Sequence, residues 1–110
     1  MPQLVVLPAA RGDLLDQAQY YDSQGGDALG NRFLRQCEAA FARLLRFPES
    51  GASVLHRHPR LVDCRFVPVP GFDAMLIFYR LTADQIQIVR LLHGARDIEA
   101  AFSDDDRLNG

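Results

Sequence analysis

The stretch AMLIFYRLTADQIQIVRLLH, residues 74–93, decides the fold. Two β-rich runs, AMLIFYRL from Ala74 and IQIVRLLH from Ile86, are parted only by TADQ. A break that short between extended segments allows an antiparallel hairpin and leaves no room for a parallel crossover. Upstream, LVDCRFVPV from Leu61 is a third run, cut from the second by PGFD, whose proline and glycine suit a turn. The three runs predict a meander. Period two then sets Val62, Cys64 and Phe66 on one side of the first run, with Asp63 and Arg65 on the other. In the second, Phe78 and Arg80 share a side opposite Ile77 and Tyr79; in the third, Arg90 lies between Ile88 and Leu92.

The N-terminal half has a different period. Phe33, Leu34, Cys37, Phe41, Leu44 and Leu45 recur at helical spacing, and Pro48 ends the helix they predict. Before it, Leu14, Ala18 and Tyr21 mark another helix from Ala9 to about Gln24. That helix should stop at QGG, where Gly25 and Gly26 suit a C-terminal cap, and Asp27 is placed to cap the next one. QLVVLP, opening at Gln3, is a short first strand closed by Pro8, and PESGASVLHRHP is a turn-rich connector. The expected fold is α+β in the order β-α-α-β-β-β, a helical hairpin on one face of an antiparallel sheet whose other face is open. A single domain is expected over 1–102, and the acidic residues 103–110 are expected to fray.

A chain of 110 residues can bury one core without staples, and 48% hydrophobic with 24% charged residues is globular composition. No apolar run approaches the ~20 residues of a membrane-spanning helix, which excludes that class and points to the cytoplasm. All 12 basic residues are arginine, against 14 acidic ones, for a net charge of -2. That balance argues against a protein that grips nucleic acid by its phosphates. Cys37 and Cys64 lack C-x-x-C or zinc spacing and read as small buried hydrophobes. No metal or cofactor is expected.

Two groups of polar residues are candidates for chemistry. Arg65, Arg80 and Arg90 on adjacent strands either converge on one surface or are separate strand residues with solvated heads. The last strand ends in His93, Gly94, Arg96 and Asp97. This cluster is either a patch facing an anion or a partner, with Gly94 turning the backbone and Arg96 offering a planar donor fork, or a turn in which Asp97 pairs with Arg96 or caps a short helix, DIEAAF. His56 and His58 form an H-x-H pair without a carboxylate or cysteine partner at ligand spacing, so they read as loop histidines. No nucleotide-binding, nucleophile-elbow or zinc-protease motif is present.

The strings CRFVPVPGF, LIFYR and IQIVRLLHGARDIE, preceded by GNRFLRQCEAAFARLLRFPESG, resemble the ParE branch of the ParE/RelE superfamily of bacterial type II toxins, over nearly the whole chain. The resemblance implies a helical hairpin against a curved antiparallel sheet. It implies a ParD-like antitoxin whose C-terminal segment wraps the toxin. Leu14, Tyr21 and Phe41, apolar positions beyond what one thin core can bury, are the expected exposed contacts for it. ParE-type relatives poison DNA gyrase; RelE-type relatives cleave mRNA in the ribosomal A site. The RelE pattern asks for basic residues where this chain has Phe66 and Pro68, and for a C-terminal tyrosine where it has Phe102, although Arg96 matches the RelE-type strand-end arginine. The expectation is therefore a gyrase poison rather than a catalyst, with Arg65, Arg80, Arg90, His93, Arg96 and Asp97 carrying toxicity. An mRNA endonuclease and an inactive antitoxin-binding relative are the alternatives.

Overall fold

The computed structural model describes residues 2–54 and 63–94. Its elements are β1 (Gln3–Val6), α1 (Pro8–Gly25), α2 (Asp27–Arg46), β2 (Ala52–Ser53), β3 (Cys64–Val69), β4 (Phe72–Leu81) and β5 (Gln85–His93). One five-stranded sheet has the order β1-β5-β4-β3-β2. The expected architecture holds, with two additions. β1 joins β5 in parallel, so the sheet is mixed, and the connector contains β2, which pairs with β3.

Each boundary has a local cause. Leu7 alone separates β1 from α1, and Pro8 starts the helix where its missing N–H costs nothing. Gly26, at φ 80°, ends α1 with its N–H on the Asp22 carbonyl and is also the cap residue of α2. Asp27, expected from sequence to cap α2, does not do so with its side chain; it sits inside the first turn and acts through the helix dipole. The hairpin closes tightly because residue 30 is glycine: a Cβ there would strike the Asp22 side chain and lie 2.9 Å from the Ala18 carbonyl oxygen. Asp63, at φ 67°, occupies the left-handed region, so β3 starts at Cys64. Leu61 and Val62, expected in that strand, lie outside the described residues, as do residues 103–110.

The main core lies between the helices and the inner face of the sheet. Phe33, Cys37 and Leu44 of α2 meet Met75, Ile77 and Tyr79 of β4 and Ile86, Ile88 and Leu91 of β5. Leu45, expected with the other periodic positions of α2, is instead 37% exposed. Tyr21, Phe33 and Phe72 form a ring cluster with centroids 4.8 to 5.2 Å apart. The Tyr79 hydroxyl donates to the Pro48 carbonyl and accepts from the Gly51 N–H, both at 2.8 Å, which pins the chain leaving α2. Gly51 must be glycine for that approach, since a Cβ would stand 2.5 Å from the hydroxyl oxygen.

The face opposite the helices is not bare, contrary to expectation. Cys64, Phe78 and Leu92 form a second buried cluster there, with Val54, Phe66, Leu76 and Val89 packed around it. Leu92 reaches this face because β5 slips register: Tyr79 pairs with Ile88 but Phe78 with Arg90, leaving Val89 as a bulge residue. After the bulge, Leu91 returns to the helix side and Leu92 to the opposite one. Among the described residues no helix is long and apolar enough to cross a membrane.

Candidate functional site

The C-terminal half of β5 outlasts its neighbour. β1 follows β5 only as far as Ile88, whose carbonyl accepts the Leu7 N–H at 3.0 Å. Beyond that point, among the described residues, no strand pairs with β5 on its outer side. Because α1 starts one residue after β1, its second turn brings Asp13 alongside the gap. The Asp13 carboxylate accepts the Leu91 N–H at 3.0 Å, the Arg90 Nε at 2.7 Å and the Arg90 Nη2 at 3.0 Å. One side chain thus takes the place of a strand for a backbone donor and holds a two-pronged arginine. The pair is largely sheltered, with side chains 21% and 16% exposed. Shelter of that degree strengthens the attraction without imposing the full desolvation cost of a buried pair.

The three sheet arginines do not converge, and the register explains why. Arg65 pairs with Tyr79 and so takes the helix side, where its Nη1 donates to the Glu49 carbonyl at 3.1 Å and the Gly51 carbonyl at 3.0 Å. Arg80 pairs with Cys64 on the opposite face, its Nη2 3.9 Å from the Cys64 sulfur. Arg90 is drawn over the sheet edge to Asp13. Each arginine supports a different corner of the molecule.

Of the strand-end cluster, His93 is half-buried and pairs with the buried Met75. Gly94, at φ 47°, turns the chain in a conformation that favours glycine. Arg96 and Asp97 lie outside the described residues, as do His56, His58 and Phe102. The two cysteines are protonated at neutral pH. Burial pushes the Cys37 thiol up to about 12, with Glu38 adding to the effect. Burial also raises the Cys64 thiol, against the opposing influence of Arg80.

The positions expected to meet an antitoxin are less exposed than the sequence suggested. Leu14, Tyr21 and Phe41 are half-buried and pack against the core. Among the described residues, the large apolar side chains that reach solvent are Leu15, Tyr20, Leu45 and Phe47. Sequence reading passed over Asp13, because a single aspartate in an amphipathic helix looks like any solvated position. It also passed over four exposed arginines of α2, Arg32, Arg35, Arg43 and Arg46, although their spacing of three, eight and three puts them on one side of a helix.

Three comparisons bear on this arrangement. Residues 4–98 match the family model described as the ParE toxin of the type II toxin-antitoxin system parDE. Among solved structures, a chain of the chromosomal ParDE TA system from P. aeruginosa superposes with a TM-score of 0.71 at 18% identity, covering 86% of this chain and 97% of that one. Curated proteins gave no significant match.

Proposed function

The chain belongs to the ParE toxin family of type II toxin-antitoxin systems, and from that premise we propose that it poisons DNA gyrase in the cytoplasm and is neutralised by a ParD-like antitoxin. The observation that carries the choice of target is the disposition of the sheet arginines. An RNA-cleaving surface needs cationic groups that face a substrate together. Here Arg90 is forked onto Asp13, Arg65 is hydrogen-bonded to two backbone carbonyls, and Arg80 stands on the other face beside Cys64. A net charge of -2 and the lack of any lysine point the same way. A gyrase poison has no such requirement, since it acts by protein contacts. Arg96 and Asp97, which follow Gly94 in the sequence, are the proposed contact residues, together with His93.

The antitoxin would cover apolar groups of the helical hairpin, for which Leu15 and Tyr20 are better placed than the half-buried Leu14, Tyr21 and Phe41. Copurification of an antitoxin expressed from the same operon tests that part. The target is tested by a supercoiling and DNA-cleavage assay with purified gyrase. The proposal expects supercoiling to fail and cleaved DNA to accumulate. Unaltered supercoiling with no trapped cleavage would reject it, and discrete cuts within codons of translated messages would establish the mRNA endonuclease in its place.

A further inference from the structure

Asp13 acts at the last stretch of β5, where the strand is held least. β4 pairs with β5 down to His93, opposite Met75, whereas the pairing with β1 ends at Ile88. A strand end fastened on one side only opens more readily than one fastened on both. Among the described residues, the outer side of this end is held by the Asp13 carboxylate, on the Leu91 N–H and on both prongs of Arg90. Gly94 turns the chain three residues past that amide, about 10 Å along the strand at ~3.3 Å per residue. Arg96 and Asp97 come two and three residues after Gly94, so the reach of the chain keeps them within about 7 and 11 Å of it.

The carboxylate is itself firmly placed. α1 begins directly after β1, and the Leu7 N–H on the Ile88 carbonyl fastens that junction to β5. Ala10 and Ala18 are the buried residues of α1, and side chains that small let the helix lie close on the sheet. Leu14, next to Asp13, packs against the core. A neutral acceptor would satisfy the Leu91 N–H as well. What the aspartate adds is the fork on Arg90, two charge-assisted bonds that fix a direction as well as a distance.

We propose that Asp13 is a positioning residue for toxicity: from α1 it fixes the strand end that carries His93, Arg96 and Asp97, so that these residues meet the target in one arrangement. The inference rests on the reading of those three as target contacts. Contact groups ordered before encounter spare the complex the cost of ordering them. A site whose supporting contact is loosened loses activity even when every contacting residue is still present. Asp13 thus acts on the target without touching it.

Three variants separate positioning from folding. Asp13→Asn is nearly the same size and can still accept the Leu91 N–H, but it lacks the charge and sets a donor against Arg90. Asp13→Glu keeps the carboxylate on a longer stem. Ile86→Ala opens the core at the opposite end of β5, where Ile86 is fully buried, and should lower the melting midpoint at least as far as Asp13→Asn. Purified chains are compared below their melting midpoints in the gyrase cleavage assay, and the same variants are induced in cells without antitoxin. Asp13→Asn should raise the concentration giving half-maximal cleavage about tenfold, and Ile86→Ala should change it by less than about twofold. Asp13→Glu should recover most of the loss, and growth arrest should follow the same order. A parent that arrests growth but traps no cleaved DNA would reject gyrase as the target, and the order of growth arrest would then decide the role of Asp13. Equal activity of Asp13→Asn and the parent wherever the parent is active, or a loss from Ile86→Ala as large as that from Asp13→Asn, would overturn the positioning role. A parent inactive in both assays would overturn it together with the reading on which it rests.

Discussion

The end of β5 and the outer face of α2 are both rich in arginine, and they use it in opposite ways. At β5, Arg90 lies over a sheet edge beside a carboxylate that also takes a backbone N–H. On α2, four arginines stand in solvent with no carboxylate in reach among the described residues. An arginine whose donors are already filled from within the fold contributes to stability and has few left for a partner. An arginine without an internal acceptor keeps its full fork for recognition. The comparison assigns construction to the sheet arginines, against the reading in which they converge on one surface.

The largest expected effect sharpens the contrast between the two sides of α2 itself. Cys37, on the inner side, has its ionisation pushed from the ordinary 9.0 to about 12 by burial. The unfolded chain therefore loses that proton first as pH rises. Stability from Cys37 is fully present below pH 9.0 and declines toward about pH 12. The slope approaches 1.4 kcal/mol per pH unit, roughly one proton's worth. Urea titrations at several alkaline pH values should show this decline and a shallower one for Cys37→Ala; Cys64 and Tyr21 shift in the same direction and preserve part of it. Parallel pH profiles for parent and variant would mean the inner side is less sealed than its packing indicates.

Asp13→Ala comes next. It leaves a sheltered guanidinium without its carboxylate and the Leu91 N–H without its acceptor, at a cost of about 2 to 3 kcal/mol. Thermal melting should register this as a lowered midpoint. Arg43→Ala and Arg46→Ala should be smallest, each within about 0.5 kcal/mol of the parent, because neither leaves a buried group unsatisfied. A variant of α2 that destabilised the chain as much as Asp13→Ala would break the comparison.

Periodicity made most of the fold legible. The helices and the three meander strands were visible because their apolar spacing reports directly on what each element buries. β2 was invisible, since a two-residue strand pairs through its backbone and leaves no pattern in its side chains. The bulge at Val89 was invisible for a similar reason: IVRLL alternates no differently with or without a slip, yet the slip changes which side Leu91 and Leu92 face. The site was less legible still. The ion pair of Arg90 is with Asp13, 77 residues away in the chain, and no local pattern records that contact. The common side of the α2 arginines was available in the sequence, but not that, among the described residues, no carboxylate is in their reach.

The division between building and recognising arginines is tested most directly by a double-mutant cycle across Asp13 and Arg90, read by urea denaturation of Asp13→Ala, Arg90→Ala and the double variant. If the pair is a working part of the fold, the double variant will lose less than the sum of the single losses, by about 1 to 2 kcal/mol. Losses that add to within about 0.3 kcal/mol would mean the two side chains do not depend on each other, and Arg90 would again be a candidate for contact with the target.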